Sequence, residues 1–311
     1  MIRSSIIACE DWFAKENRKS AYLAFLRVAM SLWLLKELLI DWSNFEVLYS
    51  NHSFIVREDN TLMALLPGAL SFVRDHYMTF IYLYIVVIIL NILGVGRWIT
   101  ATVLFVMLDT LQKLNTSIVN GGDNMARLVL LYLIFASSYD YFVLYKTKIK
   151  NPERKRMLNM MSNAAAYSLM LQLCLSYLCS GLGKLTNELW KNGTALYYTM
   201  SMDRFTGTPW NKHLAANALF VKIGTYYTLV FEIAFSFLVW INKFRKPFII
   251  AGLLLHLFIY VFMMLYGFEE VFILLLGLFL TNDEALRIAR RCKRIIFRTS
   301  KNQAVNYAAN S

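Results

Sequence analysis

A lysine at the end of a long apolar run is the first residue of this sequence that could do chemistry. Lys184 lies within SGLGKLTNELWKNG (180–193), where it follows two glycines and precedes a tryptophan. An amine that is withdrawn from water releases its proton more easily, and a neutral amine acts as a general base or a nucleophile. Gly181 and Gly183 would let a flat ligand or a neighbouring backbone approach, and Trp190 is typical of the headgroup level of a membrane. An ordinary interfacial anchor is the alternative interpretation of Lys184.

Two further ionisable residues, Glu232 and His256, fall inside apolar runs on either side of the basic connection 241–246. Each is about 15 Å from that connection if its segment is helical, which places both near a bilayer midplane on adjacent antiparallel helices. They could share a catalytic proton, or they could form a hydrogen bond that fixes helix packing. The cysteines have no metal-ligand spacing, and no metal is expected.

The other charged residues within apolar runs have simpler explanations. Most of them lie near the end of a run, where a long side chain can reach the interface. Asp109 and Arg127 are predicted to pair with each other. These residues are Arg27, Lys36, Glu37, Asp109, Arg127 and Lys222.

The composition indicates that lipid is the solvent for the elements that carry these residues. Of the 311 residues, 58% are apolar and 17% are charged, whereas a soluble domain is about 25% charged. A span needs roughly 20 helical residues, and within hydrocarbon only helices or closed barrels satisfy the backbone. The runs are too long for barrel strands, so the sequence predicts an all-α polytopic membrane protein. About eight spans are predicted, at Ala21–Ile40, Tyr77–Leu93, Trp98–Gln112, Met125–Phe142, Ala164–Leu182, Phe220–Trp240, Pro247–Tyr266 and Val271–Thr281.

The distribution of Lys and Arg predicts the orientation of these spans. Basic residues crowd into alternate connections, such as YKTKIKNPERKR (145–156) and the C-terminal tail, and such connections face the cytoplasm. Both termini are therefore expected inside a bacterial plasma membrane, with the polar connections, including a tight turn at 267–270, on the outer face. The basic residues are too scattered for a nucleic-acid partner. Residues 1–282 are predicted to form one transmembrane domain, and residues 283–311 a basic tail on the inner leaflet.

Four stretches, in order, resemble the horizontally transferred transmembrane domain (HTTM) family, whose members are relatives of vitamin K-dependent γ-glutamyl carboxylase. The central one is SGLGKLTNELWKNG, whose small-Gly-Leu-x-Lys-Leu pattern is followed by Trp and Gly. The others are LRVAMSLWLLKELL with its following loop, NGGDNMARLVLLYLIF (120–135) and LLLHLFIYVFMMLYGF (253–268). The resemblance covers roughly residues 20–282.

This resemblance implies a function and a set of site residues. In the animal carboxylase, a lysine at the motif position of Lys184 is thought to deprotonate vitamin K hydroquinone, and a glutamate substrate then takes up CO2. It implies Lys184 as the catalytic base and includes His256, and Glu232 joins them as a catalytic candidate because of its position within an apolar run. It further implies a reduced quinone of the vitamin K or menaquinol type as cofactor, held by a second group of residues. That group is Gly181, Gly183, Trp190, Asn120 and Asp123. The animal enzyme also has a large luminal domain that grips its protein substrate, and we expect no counterpart of it here.

Three hypotheses about function remain open at this point. The first is a carboxylase-like membrane enzyme that binds a lipid quinol between its helices, with Lys184 as base at the outer face. The second is a maturation factor for a secreted antimicrobial peptide, since sporulation-delaying-peptide systems contain an HTTM-like membrane protein of about this size. The third is a non-catalytic membrane scaffold or immunity-type binder.

Overall fold

The computed structural model of the chain describes residues 10–51, 65 and 68–294. Within these ranges all regular structure is helical and no strand occurs, so the all-α prediction is confirmed. Short helical turns lie at residues 10–14, and a further helix spans residues 282–294. The other helices are α1 (Ser20–Ile40), α2 (Phe45–Tyr49), α3 (Ala69–Asp75), α4 (Tyr77–Leu93), α5 (Trp98–Leu114), α6 (Gly121–Phe135), α7 (Pro152–Lys184), α8 (Glu188–Lys191), α9 (Ala195–Ser201), α10 (Trp210–Ala216), α11 (Ala218–Leu238), α12 (Asn242–Met263) and α13 (Tyr266–Leu276).

A helix lies at each position where the sequence predicts a span. Three of them, α7, α11 and α12, are long and apolar enough to cross a membrane, and α4 is a shorter apolar helix. That all eight helices span the membrane, and in which orientation, stays a prediction.

The boundaries of α6 differ from the predicted span Met125–Phe142 at both ends. The helix begins at Gly121 because Asn120 and Asp123 form a capping box: the Asn120 side chain accepts from Gly122 N at 2.6 Å, and the Asp123 carboxylate accepts from Asn120 N at 2.8 Å. It ends at Phe135, and residues 136–151 are not helical.

Arg27 supplies hydrogen-bond donors to backbone carbonyl groups of the non-helical segment after α6. Arg27 is 1% exposed, and its guanidinium donates to carbonyl oxygens at the end of α4 and in the segment 136–142. Those carbonyls belong to Asn91, Ile92, Ser138, Tyr141 and Phe142. A cation is favourable at a helix C-terminus, so this charge within an apolar run has a structural role.

The predicted tight turn at 267–270 is wrong. These residues form the first turn of α13, and only Met264 and Leu265 separate α12 from α13. Met264 makes the reversal possible by adopting a left-handed conformation with φ 56°. Glu269 lies in the first turn of α13, where a carboxylate interacts favourably with the helix N-terminus.

Helix α7 is much longer than the predicted span Ala164–Leu182. It has 33 residues and begins at Pro152, where the Asn151 side chain caps the backbone NH groups of Glu153 and Arg154. The basic residues that mark a cytoplasmic connection are therefore partly helical. At its other end, α7 packs along α11.

A buried lysine lies at the opposite end of the molecule, just before α1. Lys19 Nζ donates to the carbonyl oxygen of Leu280 at 2.6 Å. The pKa of Lys19 is lowered to about 8, mainly by burial and also by the nearby Arg245, while Glu284 opposes this shift. This lysine ties the start of α1 to the end of the α13 region.

Candidate functional site

Lys184 lies in an ion pair, not in open water. Its Nζ donates to both carboxylate oxygens of Glu232, each at 2.7 Å, and to the Ser180 hydroxyl at 2.6 Å. The side chains of Lys184 and Glu232 are 20% and 10% exposed. The ring of Trp190 lies 5.0 Å from the ammonium nitrogen, close enough for a cation–π contact. The pair thus joins the end of α7 to the middle of α11.

The sequence predicts Lys184 at the outer rim of the membrane, and the pairing places it against the side of α11. Glu232 lies about 21 Å from the first residue of α11, so the last residue of α7 meets α11 well inside that helix. The connection 185–217 occupies the space beyond it. There, Leu196 N donates to Thr225 Oγ1 at 3.1 Å, and Gly207 N donates to the Phe262 carbonyl at 2.9 Å. Lys184 therefore lies beside α11 and not beyond its end, and its position relative to a membrane stays a prediction.

The two glycines before Lys184 have different surroundings. A Cβ at Gly181 would lie 2.7 Å from Ile233 Cγ1 and 3.3 Å from Glu232 Cβ. Only glycine allows α7 and α11 to approach this closely, as the sequence predicted for a neighbouring backbone. At Gly183 a Cβ would meet no heavy atom within 4 Å. Open space therefore exists at Gly183, the residue before Lys184.

A second polar cluster lies two helical turns further along α7, about 10 Å from Lys184 along the axis. His256 on α12 hydrogen-bonds to the Tyr177 hydroxyl through Nε2 and to the Glu269 carboxylate through Nδ1. All three side chains are buried. A carboxylate acceptor at Nδ1 requires a proton on that nitrogen, which leaves Nε2 of a neutral ring to accept from Tyr177. The cluster therefore connects α7, α12 and α13.

Aromatic rings surround this second cluster. Phe272 stacks on the His256 ring at 5.3 Å between centroids, and Phe235 packs edge-on against Tyr177 at 4.9 Å. Glu269 Oε1 is buried and has no hydrogen-bond partner within the described part of the chain. Such a carboxylate in apolar surroundings favours tight coupling to the imidazole proton.

The expected proton sharing between Glu232 and His256 is wrong for this arrangement. Both residues are on adjacent antiparallel helices, as predicted, but no hydrogen bond connects them in the described structure. Each has a different partner: Lys184 for Glu232, and Glu269 for His256. The physical reason is that α7 and α13 insert polar groups next to these two helices.

Three residues of these clusters were missed in the sequence, namely Tyr177, Ser180 and Glu269. The first two share a helical face with Lys184, since residues three, four and seven positions apart align. That spacing was available as a signal. Glu269 was hidden because the sequence predicted a turn there.

Four of the remaining charged residues of the apolar runs form local pairs. Arg127 Nη1 lies 3.2 Å from Asp109 Oδ1, so that predicted pair is confirmed. Lys36 Nζ pairs with Glu37 at 2.8 Å and also with Glu270. These contacts join helices and need no ligand to explain them.

Two cavities lie near the predicted site residues. A groove of about 700 Å³ on the α11–α12 surface is almost wholly apolar, and Phe231 belongs to its wall. A second cavity of about 410 Å³ is lined by Asn120 and Asp123, together with residues of α1 and α5. Asn120 and Asp123 thus cap α6 and face a different space from the one beside Lys184. Among the described residues, no group of three His, Cys, Asp or Glu side chains could hold a metal ion.

Comparison with known proteins suggests no function for this site. No family model matches the chain, and neither a curated protein nor a solved structure is similar to it. The HTTM resemblance therefore stays a prediction that depends on its four motif stretches.

Proposed function

We propose that this chain is a multi-pass membrane enzyme in which Lys184 acts as a general base toward a reduced quinone of the vitamin K or menaquinol type. One observation carries the proposal: an amine and a carboxylate are held 2.7 Å apart between two apolar helices, at Lys184 and Glu232. Ionised groups inside spanning helices are costly, and they are candidates for function for that reason.

The surroundings of Lys184 fit a flat ring with an apolar tail. The space over Gly183 is open, and the neighbouring Leu182 and Leu185 side chains are exposed. Trp190 offers an aromatic face on the other side of the amine. These residues would hold the ring from the lipid side, while apolar surface nearby accommodates the tail.

The chemistry follows from the proton held by the pair. When the ammonium of Lys184 gives its proton to Glu232, the result is a neutral amine beside a carboxylic acid, with no change in net charge. The neutral amine can then accept a proton from a hydroxyl group next to it. Ser180 orients the amine throughout, at 2.6 Å. A reduced quinone would supply this hydroxyl, and dioxygen would accept the two electrons that the quinone loses on oxidation.

His256 and its partners support the same site from deeper in the bundle. We assign His256 the role of holding a proton between Tyr177 and Glu269. With the basic connections in the cytoplasm, both termini are inside and the connection 185–217 is outside. A secreted peptide or protein substrate would then approach from the outer side, and carboxylation of that partner is the reaction that the resemblance suggests.

Ligand binding and oxygen uptake test the proposal. The protein in detergent is titrated with menadione while tryptophan fluorescence is recorded, and oxygen uptake is measured with chemically reduced menadione. We expect Trp190→Phe to remove most of the quenching. We expect Lys184→Met and Glu232→Gln to lower oxygen uptake to the rate without protein, since the first removes the base and the second removes the carboxylate that takes the ammonium proton.

Lys191→Met is the matched control, because Lys191 pairs with Glu188 on the surface and its side chain is 48% exposed. It should leave both readouts unchanged. Lipids extracted from the purified protein are also analysed for quinones by mass spectrometry. Equal oxygen uptake by the wild type and the Lys184→Met variant would reject the enzyme and favour a non-catalytic scaffold.

A further inference from the structure

A third cavity lies at the opposite end of α7 from Lys184. It has a volume of about 500 Å³ and is enclosed by the start of α5, the end of α6 with the segment that follows it, and the start of α7. Arg154, which lines this cavity, is about 45 Å from Lys184 along the axis of α7. The cavity is therefore separate from the proposed quinol site, and its role does not depend on the function proposed above.

Two arginines bring positive charge to this cavity from different helices. Arg97 lines it just before α5, and Arg154 lines it from the first turn of α7. Within the described ranges, neither guanidinium forms an ion pair or a hydrogen bond. The Arg97 guanidinium lies over the Tyr139 ring, with Cζ 5.1 Å from the ring centroid. This contact leaves the N–H donors in the plane of the guanidinium for another acceptor.

The carboxylate next to Arg97 does not neutralise this charge. Asp140 interacts with Arg97, but Lys146 and Lys155 act on the same carboxylate, so one acid faces three cations. The connection 145–156 as a whole carries six Lys and Arg residues and one Glu. An excess of positive charge therefore surrounds the cavity.

Much of the cavity wall is apolar and continues directly from the cations. On α7, Met157, Leu158 and Met161 follow Arg154 at three, four and seven positions, so all of them lie on one helical face. Met161 is about 10 Å further along the helix axis than Arg154. Phe135, at the end of α6, adds exposed apolar surface. The cavity is therefore charged at one end and apolar over the next two turns of α7.

Trp98 indicates where this cavity would lie relative to lipid headgroups. It is the first residue of α5, lines the cavity and is 60% exposed. Exposed tryptophans are typical of the headgroup level, and clusters of Lys and Arg next to a spanning helix attract anionic lipids. Helix α7 is long and apolar enough to span a membrane. We therefore expect the charged end of the cavity among headgroups and its apolar wall among acyl chains.

These features select one class of occupant. A guanidinium binds phosphate oxygens through paired N–H donors. A cavity of this volume is roughly 8 Å across, about one screening length at physiological salt, so a phosphate inside it is attracted by both arginines. A soluble anion would leave Met157 and Met161 uncovered, and the cation of a zwitterionic headgroup would be repelled by the neighbouring lysines. An anionic phospholipid complements both the cations and the apolar wall.

We propose that this cavity binds an anionic phospholipid, with the headgroup phosphate at Arg97 and Arg154 and the first part of one acyl chain along Met157 and Met161. The lipid fills a space that α5, α6 and α7 leave open between them. Because it binds the folded chain, it stabilises the packing of these three helices.

Binding of defined lipids to the full-length protein in detergent tests the site. The probe is phosphatidylglycerol. The controls are phosphatidylcholine with the same acyl chains and glycerol 3-phosphate, which has the phosphate but no chain. Bound lipids are counted by native mass spectrometry, and the melting temperature is recorded with each compound. We expect phosphatidylglycerol to bind about tenfold more tightly than phosphatidylcholine and to raise the melting temperature, and we expect glycerol 3-phosphate to do neither.

Variants identify the residues that hold the lipid. Arg154→Gln should weaken phosphatidylglycerol binding about fivefold, since one cation at a membrane surface contributes about that factor, and Arg97→Gln with Arg154→Gln should weaken it about twentyfold. Met157→Glu places a carboxylate against the acyl chain and should also weaken binding. Lys148→Gln is the matched control, because Lys148 is an exposed cation of the same connection outside the cavity wall, and it should leave binding nearly unchanged.

The melting temperature without added lipid separates binding from folding. Arg154→Gln should leave this temperature unchanged, since the exposed guanidinium has no partner to lose within the described part of the chain. Equal binding of the two lipids, an unchanged affinity in the double variant, or an equal loss in Lys148→Gln would overturn the proposal. Binding of glycerol 3-phosphate as tight as that of phosphatidylglycerol would also overturn it, because the cavity would then be a site for a soluble anion.

Discussion

The ion pair between Lys184 and Glu232 makes a quantitative prediction about stability. In Lys184→Met, the Glu232 carboxylate stays between two apolar helices without its main donor. Breaking a fully buried pair costs about 3–5 kcal/mol. Because the Lys184 and Glu232 side chains are 20% and 10% exposed, we expect a smaller loss of unfolding free energy, about 2–3 kcal/mol.

The double variant distinguishes the pair from its separate residues. Glu232→Gln keeps an acceptor for the ammonium and should cost about 1–2 kcal/mol. Lys184→Met with Glu232→Gln removes both charges, so its cost should be well below the sum, with a coupling energy of about 2 kcal/mol. Unfolding is measured by titration with SDS in mixed micelles, followed by circular dichroism.

The exposed pair of Lys191 and Glu188, with N and O 2.8 Å apart, provides the reference cycle. Its coupling energy should not exceed about 0.5 kcal/mol, since solvent weakens surface pairs. If the Lys184–Glu232 cycle is additive within about 0.5 kcal/mol, the two side chains do not interact as described, and the proposed base loses its proton partner.

Three more predictions follow from the packing and from the buried cations. Gly181→Ala should destabilise the protein by about 1–3 kcal/mol through overpacking, whereas Gly183→Ala should be neutral or stabilising by up to about 1 kcal/mol. Gly183→Ala should also weaken menadione binding. Melting temperatures check the stabilities, and the fluorescence titration checks binding. Lys19 has a pKa of about 8 in the folded chain, and an unfolded lysine keeps its proton to about 10.4. The free energy of unfolding should therefore rise by up to about 3 kcal/mol as the pH increases across that window. Lys19→Met should remove this rise, as measured by SDS titrations at pH 7.5 and 10.5. An equal rise in the variant would contradict the assignment. Arg27→Gln should destabilise the fold by about 3 kcal/mol or more, because several buried carbonyls lose a charged donor, and hydrogen exchange within 136–142 should speed up selectively.

The helical class and the positions of the long helices could be predicted from the sequence. Runs of apolar residues indicate which segments avoid water, and the length of helix needed to cross a bilayer is fixed. The ends of the helices were harder to predict from the sequence. The Asn120 and Asp123 cap was visible as a pattern, yet hydropathy alone placed the start of α6 at Met125. A capping box is a local signal that deserved precedence over hydropathy.

The candidate site was predictable residue by residue but not as an arrangement. Lys184, Glu232 and His256 were singled out because charge is rare in apolar runs. Their partners depend on how far α7 and α11 are shifted along each other, and no periodicity determines that shift. The sequence places the end of α7 at the edge of the membrane, and it could not show that this end lies beside the last third of α11. Glu269 was missed for a different reason: the sequence predicted a turn at 267–270, whereas α13 begins at Tyr266, before this residue.

Arg27 differs from the other charged residues of the bundle in the nature of its partners. Its hydrogen-bond acceptors are backbone carbonyls, which have no proton to gain over the range in which carboxylates titrate. Acidification that dissolves the Lys184 and Lys36 pairs would leave this junction intact. The end of α4 and the segment after α6 should therefore stay joined in acid, after the ionic contacts elsewhere in the fold have broken.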